Sequence, residues 1–408
     1  MLYKKKCKKL KYALNNLRTM CMKKLFRRKK GKSKKEYIET LFKYLDEKEI
    51  KKIKRLSRKK LISFSESKMG VSPDFPEADF TQIETGEKDL EKEIHNYNKK
   101  IYEKVKKSLF RQFSHKAKDI VYKHIGPDIV GFDNVKRSVG MMLFSDEPIH
   151  ILLLGDPGTG KTDILSSAAK LSPISSFGLG SGTSSVGLSV TIKGNEVEKG
   201  LLPLADEGLC AIDELNLMKS KDYAALYNAM EKGFVSYDKG GKHHQFDARI
   251  KLLATANPKG DKFKGSTMDE IKSQIPFESA LLSRFNMIFL IKRPNLDEFK
   301  EISKEILRQK AEGKKKENMN DIEFLKGYID YCQKIDVNLP SKYESEIVDF
   351  AAELKKKEGT FLTDITPRMI LGFIRLVKAS AKMDMRKQAM QADIDFVKEV
   401  IEKALIQY

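Results

Sequence analysis

The stretch IHILLLGDPGTGKT, residues 149–162, joins an apolar run, a glycine-rich turn and the start of a helical pattern. A phosphate-binding loop requires this order, because the strand delivers the turn to the positive end of the following helix. The glycines keep side chains away, so that backbone N–H groups can surround phosphate oxygens. The apolar strand directly before the turn makes a chance match to the bare pattern a minor alternative. We therefore predict a nucleotide site formed by Gly155, Asp156, Pro157, Gly158, Thr159, Gly160, Lys161 and Thr162.

Four side chains have distinct expected tasks at this site. Lys161 would reach the β- and γ-phosphates of ATP, and the Thr162 hydroxyl would be a ligand of Mg²⁺. The stretch GLCAIDELN, residues 208–216, is a second apolar strand that ends in two carboxylates. Asp213 would hold Mg²⁺ through water, and Glu214 would polarise the attacking water. Taken alone, such a pair could also be a helix N-terminus with favourable charges.

A third apolar strand, IKLLATANP at residues 250–258, ends in Asn257, whose amide could orient the same water. Alone, it would be an ordinary strand end before a proline turn. From about residue 121 to 295, short apolar strands alternate with helical patterns. This alternation predicts the α/β class, with a parallel sheet wrapped by helices.

The length of 408 residues exceeds the usual size of one hydrophobic core, so about two or three domains are expected. The predicted zones are a basic, partly helical arm (1–70), a linker and helical segment (71–120), an α/β core (121–295) and a smaller helical domain (296–408). The clearest helix of the last zone opens at TPRM, where Thr366 can cap and Pro367 fits the first helical position.

The formal net charge of +21 is concentrated at one end of the chain. Residues 1–70 contain 26 Lys and Arg against 6 Asp and Glu, whereas the remaining residues are nearly balanced, at 52 against 51. Such a basic run attracts polyanions, which indicates nucleic-acid contact. A solvated tail, a nuclear import signal or a transit peptide would have a similar composition.

Other classes of protein are disfavoured by the composition. No apolar stretch approaches the roughly 18 residues of a membrane span, and the N-terminus has no secretory apolar block. The four cysteines have no C-x2-C spacing, so neither zinc nor a disulfide framework is indicated. We expect a protein without a membrane partner that stays inside a cell, cytoplasmic in an archaeal or viral-type context and nuclear in a eukaryote.

With these three apolar strands and their polar ends, the sequence resembles AAA+ ATPases, and the minichromosome maintenance (MCM) replicative helicases in particular. The resemblance covers residues 125–405, nearly three quarters of the chain, and its motifs are specific and in the family's order. They are SGTSSVGLSV (181–190), GLLPLADEGLCAIDE (200–214), YNAMEKGFVSYDKG (227–240), LATANP (253–258), ALLSRFNMIF (280–289) and ITPRMILGFIRLVKASAKM (365–383). The resemblance implies an AAA+ P-loop core followed by an α-helical lid, with ATP and Mg²⁺ as cofactors. It also implies a homo-oligomeric, hexameric ring that binds DNA, single-stranded or duplex, and works with other replication proteins.

The resemblance also assigns three further residues. No acidic residue lies within five positions of Arg284, which precedes an apolar strand. The family's pattern makes Arg284 a finger that neutralises the γ-phosphate of the neighbouring subunit. Arg368 matches a second arginine that works across the interface, and Lys239, in SYDKGGKHH (236–244), matches a channel lysine that contacts DNA. Without the resemblance, Arg284 could simply anchor a loop through backbone carbonyls, and Lys239 could be a solvent-facing lysine.

Several features depart from the family pattern. The phosphate loop ends in GKT where the family usually has Ala-Lys-Ser, and Asn216, Leu217 and Asn286 replace charged residues. The helix-2 insert looks short. The family's zinc-bearing, oligonucleotide-binding N-terminal domain has no counterpart in the sequence, where residues 1–70 stand instead.

Three hypotheses follow from the sequence. The first is an ATP-hydrolysing, MCM-like DNA helicase or translocase that works as a ring in replication. The second is a DNA-bound AAA+ accessory or scaffold protein that binds ATP without unwinding. The third is a chelatase-like or remodelling ATPase that acts on protein. It would share the ATP site but not LLSRF or the TPR helix start.

Overall fold

A computed structural model describes residues 87–193, 196–239, 242–260, 262–265, 267–311, 319–362 and 364–405. The predicted basic arm, residues 1–70, lies outside the described residues, as does the start of the 71–120 segment. The described helices are α1 (Glu87–His124), α2 (Asp133–Phe144), α3 (Lys161–Leu171), α4 (Ser185–Leu188), α5 (Leu201–Leu204), α6 (Tyr223–Lys232), α7 (Met268–Ser273), α8 (Ser279–Leu282), α9 (Leu296–Ala311), α10 (Met319–Gln333), α11 (Glu344–Lys356), α12 (Pro367–Met383) and α13 (Gln391–Leu405). The described strands are β1 (His150–Gly155), β2 (Ser175–Leu179), β3 (Val190–Lys193), β4 (Glu196–Lys199), β5 (Leu209–Asp213), β6 (Phe234–Lys239), β7 (Lys242–Asp247), β8 (Lys251–Ala256) and β9 (Met287–Ile291).

The chain divides into two compact units. Of the described residues, the smaller unit contains 87–116 together with 319–324. Within it, the rings of Phe110 and Phe113 contact Phe324 edge-on, with centroids 5.6 and 5.0 Å apart respectively. This aromatic cluster joins α1 to the start of α10, because edge-to-face ring pairs are favourable at such separations.

The larger unit is built on a five-stranded sheet with the strand order β2-β5-β8-β1-β9. All four pairings in this sheet are parallel. Every residue of β1, β5, β8 and β9 is buried. The strands of a parallel sheet that is covered on both faces have continuous apolar sequences, and the sequence of this protein shows that pattern. The predicted α/β class, and the buried strand predicted after Arg284, are confirmed.

Asn286 fastens the start of β1 to the segment before β9. Its backbone N–H donates to the His150 carbonyl at 2.8 Å, and its side-chain Oδ1 accepts the His150 N–H at 2.8 Å. Its Nδ2 donates to the Arg368 carbonyl at 3.2 Å. An aspartate could accept the first of these side-chain bonds but could not donate the second. The asparagine at this position therefore binds the sheet and α12 together.

Helix α12 begins where the sequence predicts, with Thr366 at the N-cap and Pro367 in the first turn. The expected side-chain cap is absent, however, because Thr366 makes no cap hydrogen bond. The Thr366 carbonyl instead accepts the Met369 N–H at 3.0 Å. A backbone carbonyl thus satisfies the N–H group that the Thr366 hydroxyl was expected to cap.

Two antiparallel hairpins stand outside the central sheet, β3–β4 and β6–β7. The β6–β7 hairpin occupies the segment in which the sequence predicts a DNA-facing hairpin, and Lys239 is the last residue of β6. Among the helices in the described part of the chain, none combines the length and the apolar character that crossing a membrane requires.

Replacing Asn286 with alanine is expected to lower the free energy of unfolding by about 1–3 kcal/mol, because a buried His150 N–H loses its acceptor. Denaturant unfolding measures this change. Gln245→Ala, which removes an amide from an exposed position on β7, is the control and should change stability by less than about 0.5 kcal/mol. Equal effects of the two substitutions would contradict the role given to Asn286.

Candidate functional site

The turn between β1 and α3 has the backbone of a phosphate loop. Gly160 lies at φ 84°, and a Cβ there would approach the Ile129 side chain to 2.4 Å. Only glycine combines a positive φ with the absence of a Cβ that would collide with Ile129, since other L-residues avoid positive φ. The side chain of Asp156 accepts the backbone N–H groups of Phe263 at 2.9 Å and Arg293 at 3.3 Å. These two hydrogen bonds attach the loop to segments that lie later in the chain, so its backbone N–H groups are already positioned for phosphate oxygens.

Lys161 is folded back onto the loop. Its Nζ donates to the carbonyls of Gly155 at 2.8 Å and Asp156 at 2.6 Å. Burial lowers the pKa of this ammonium to about 8, although the nearby carboxylates of Asp156, Asp213 and Glu214 act in the opposite direction. The group is a poorly solvated cation whose present partners are neutral carbonyls, and an anion would satisfy it better.

A chain of hydrogen bonds joins the ends of α3, β5 and β8. The Thr162 hydroxyl donates to Asp213 Oδ2 at 2.9 Å, and the Thr255 hydroxyl donates to Asp213 Oδ1. The Glu214 N–H donates to Thr255 Oγ1 at 2.9 Å. Both oxygens of Asp213 and the backbone of Glu214 are thus oriented by side chains from other elements.

Glu214 and Asn257 follow neighbouring strands at the same edge of the sheet. Glu214 adopts a left-handed backbone conformation, φ 52° and ψ 47°, which is strained for a residue with a side chain. The Asn257 N–H donates to Asn216 Oδ1 at 3.0 Å, so Asn216, one of the departures from the family, ties the two strand ends together. The backbone of Glu214 is therefore fixed by the fold, through its own hydrogen bond to Thr255 and the bond between Asn257 and Asn216.

The residues present fit a magnesium ion. Thr162 and Asp213 bring a hydroxyl and a carboxylate oxygen within 2.9 Å of each other beside the phosphate loop. Hard oxygen donors of this kind are what Mg²⁺ prefers, usually with substrate phosphates and water completing the shell. The prediction that these two residues hold Mg²⁺ is compatible with the geometry and remains a prediction.

Arg284 and Arg368 lie at the opposite edge of the sheet from the phosphate loop. Asn286, two residues after Arg284, pairs with His150 at the start of β1, whereas the loop leaves Gly155 at its end. Five steps of about 3.3 Å separate those two ends, or roughly 17 Å. Arg368 belongs to the Arg284 edge, because its Nη1 donates to the Ser283 carbonyl at 3.1 Å. The structure therefore brings the predicted site residues together in two groups.

Arg284 has a partner inside its own chain, which the sequence analysis did not expect. Its Nη2 donates to Glu231 Oε2 at 2.7 Å, and its Nη1 donates to the Ala280 carbonyl at 2.5 Å. Its guanidinium carbon also lies 4.6 Å from the ring centroid of Tyr227. The expectation that its partner must come from another copy is thus incomplete, and its role as a finger stays a prediction.

Several residues at the site were missed from the sequence. Thr255 connects Asp213 to Glu214, and Ile129 packs against Gly160. A hydroxyl within the otherwise apolar strand LLATA was a usable signal for Thr255, because a buried polar group needs a partner. Ile129 lies 26 residues before Gly155, the first residue of the phosphate loop, and had no such signal. For Lys239, the structure describes the strand position but not the side chain.

Two family models match successive parts of the chain. The MCM P-loop domain matches residues 104–310, and the MCM AAA-lid domain matches residues 323–405. The first match contains every predicted ATP-site residue and Arg284, and the second contains Arg368. The order of the two matches is the order of the α/β core and the helical region that follows it.

Curated relatives agree with this assignment. The Minichromosome maintenance protein MCM of Saccharolobus solfataricus is 31% identical over 299 residues, which cover 68% of this chain and 43% of the relative. The DNA replication licensing factor MCM5 of Arabidopsis thaliana is 31% identical over 314 residues, covering 67% and 42% respectively. The chain thus spans about two fifths of the length of these relatives. Together with the family model that matches half of the sequence, they show that the chain belongs to the MCM family.

Proposed function

We propose that the chain is the motor of an MCM-like DNA helicase or translocase, in which ATP hydrolysed between adjacent copies of a ring drives movement on DNA during replication. The names of the relatives refer to chromosome maintenance and to licensing of DNA replication, which supports this biological setting. The proposed division of the chain is an ATPase core at 121–295 and a lid at 296–408.

The observation that carries the proposal is the separation of the site into two edges. Lys161, Thr162 and Asp213 lie at the edge where β1 ends, and Arg284 lies where β1 begins. With roughly 17 Å of strand between these edges, one nucleotide cannot meet both groups of one chain. A head-to-tail arrangement of copies would bring the arginine edge of one to the phosphate edge of the next, and such contacts form a ring when the rotation between neighbours closes.

Each residue then has a stated task in hydrolysis. Lys161 exchanges its carbonyl partners for phosphate oxygens, and Glu214 accepts a proton from the attacking water, with Asn257 orienting that water. Mg²⁺, held by Thr162 and Asp213, would neutralise charge on the phosphate oxygens. Arg284 from the neighbour stabilises the charge that develops as the γ-phosphate leaves, an effect of about 10³–10⁵ in rate for arginine fingers in general.

Contact with DNA is proposed for two parts of the chain. The β6–β7 hairpin bears Lys239 close to its turn, where a lysine can contact the phosphate backbone without reading sequence. The basic residues 1–70 would add a salt-sensitive attraction to the same polyanion.

Mixing two inactive variants tests the shared site. Lys161→Ala spoils the phosphate loop but keeps the arginine, whereas Arg284→Ala does the reverse. Each alone should hydrolyse ATP poorly, and a mixture should recover part of the activity, because some interfaces combine an intact loop with an intact arginine. ATP turnover measured across mixing ratios checks this. Mixtures that are no more active than the separate proteins would contradict a site shared between copies.

DNA dependence tests the motor itself. Single-stranded DNA should raise the rate of ATP turnover by the full chain, and strand displacement should require hydrolysis. Turnover stimulated by DNA without displacement would favour the accessory or scaffold hypothesis. Removing residues 1–70 provides the control: a core that no longer binds DNA at all would favour the protein-remodelling hypothesis.

The lowered pKa of Lys161 predicts a pH dependence of stability. From about pH 8 to 10.5 the unfolded chain keeps a proton that the native site has released, so native stability should rise with pH relative to Lys161→Met. Thermal unfolding of both proteins without nucleotide measures the difference. Bound ATP should diminish the rise, because phosphate charge favours the protonated amine. A difference that does not change with pH would contradict the shift.

A further inference from the structure

The guanidinium of Arg284 is held by three unlike contacts. They are the Glu231 carboxylate at 2.7 Å, the Ala280 carbonyl at 2.5 Å and the face of the Tyr227 ring at 4.6 Å. Only 20% of the Arg284 side chain is exposed. A flexible arginine that is gripped from two directions and stacked on a ring has few rotamers left, so its direction is largely fixed.

Two of these contacts come from one face of α6. Tyr227 and Glu231 are four residues apart, a spacing that brings side chains together on a helix. Glu231 is the penultimate residue of α6, where the negative end of the helix disfavours a carboxylate. The arginine offsets that local penalty. Because Glu231 lies where a helix disfavours a carboxylate and contacts Arg284, it is a candidate for a functional role.

The grip does not use up the donors of the arginine. A guanidinium has five N–H groups, and the contacts with Glu231 and Ala280 account for two of them. The Nε–H is buried and out of reach, but Nη1 and Nη2 each carry a second N–H that these two contacts do not use. Arg284 can therefore remain attached to Glu231 while it donates to a further anion.

We propose that Glu231, supported by Tyr227, is a positioning residue that presents Arg284 to the nucleotide of the neighbouring copy. The inference rests on the proposed function, in which Arg284 acts across the interface. Its benefit is preorganisation: the arginine loses less side-chain entropy on reaching the phosphate, because that entropy has already been lost on folding.

The pair has little importance for folding, which makes the proposal testable. Glu231 is 47% exposed, and ion pairs at such sites stabilise proteins by about 0–1 kcal/mol. Glu231→Ala should therefore fold normally, which a melting curve verifies. Its affinity for ATP should be unchanged, and its turnover should fall about tenfold, the effect of roughly 1.4 kcal/mol of lost transition-state stabilisation.

Mixing experiments with the full chain show which nucleotide Glu231 serves. Glu231→Ala keeps an intact phosphate loop and has a badly positioned finger. Mixed with Lys161→Ala, which keeps a good finger, it should regain activity. Mixed with Arg284→Ala it should not, because neither protein then presents a competent finger. Recovery with Arg284→Ala instead would mean that Glu231 serves the nucleotide of its own copy, and would overturn the proposal.

Controls separate this proposal from the one on which it rests. Glu301→Gln removes another helical glutamate that is paired with a cation, Lys304 at 2.6 Å on α9, and should leave turnover unchanged. Failure of Lys161→Ala to complement Arg284→Ala would refute the shared site itself. Success of that mixture, together with normal turnover by Glu231→Ala, would refute only the role of Glu231.

Discussion

The strand β1 imposes the constraint on which the rest of the structure depends. Its end carries the phosphate loop. At its start, the backbone N–H and carbonyl of His150 both form hydrogen bonds with Asn286. Because the strand is buried and paired on both edges, it cannot shorten or bend to bring its two ends together. Arg284 and the phosphate loop of one copy therefore stay apart, and the proposed site shared between copies follows from this separation.

The phosphate edge shows how packing, more than motif residues alone, sets the geometry of a site. Thr255 is a buried strand residue, and its hydroxyl satisfies both Asp213 and the backbone of Glu214. Without it, a carboxylate oxygen and an N–H group would lose their partner, and such losses are costly in a buried setting. The left-handed conformation of Glu214 is held by this same bond.

Sequence patterns predicted those features of this protein that are formed by residues close together in the chain. The strands and the loop that follows β1 were readable because apolar runs and their polar ends lie together in the chain. The partner of Arg284 was not readable, since Glu231 is 53 residues away and only folding brings α6 beside it. Thr366 illustrates a smaller failure: its position was predicted, but its own carbonyl took the donor that its hydroxyl was expected to accept.

The contacts of helix α12 explain why Arg368 lies close to Arg284. Arg368, Arg375 and Lys382 follow at intervals of seven and share a face of the helix. Arg375 binds Glu147 at 2.8 Å, and Lys382 binds Asp146 at 2.7 Å, both in the segment that leads into β1. The Lys382 side chain is only 2% exposed, and without Asp146 its ammonium would keep only the neutral Gln333 carbonyl, at 2.8 Å, as a partner. Loss of a charged partner is costly for a buried cation. Arg368, at the start of this helix, is thereby held beside Arg284, where its Nη1 donates to the Ser283 carbonyl at 3.1 Å.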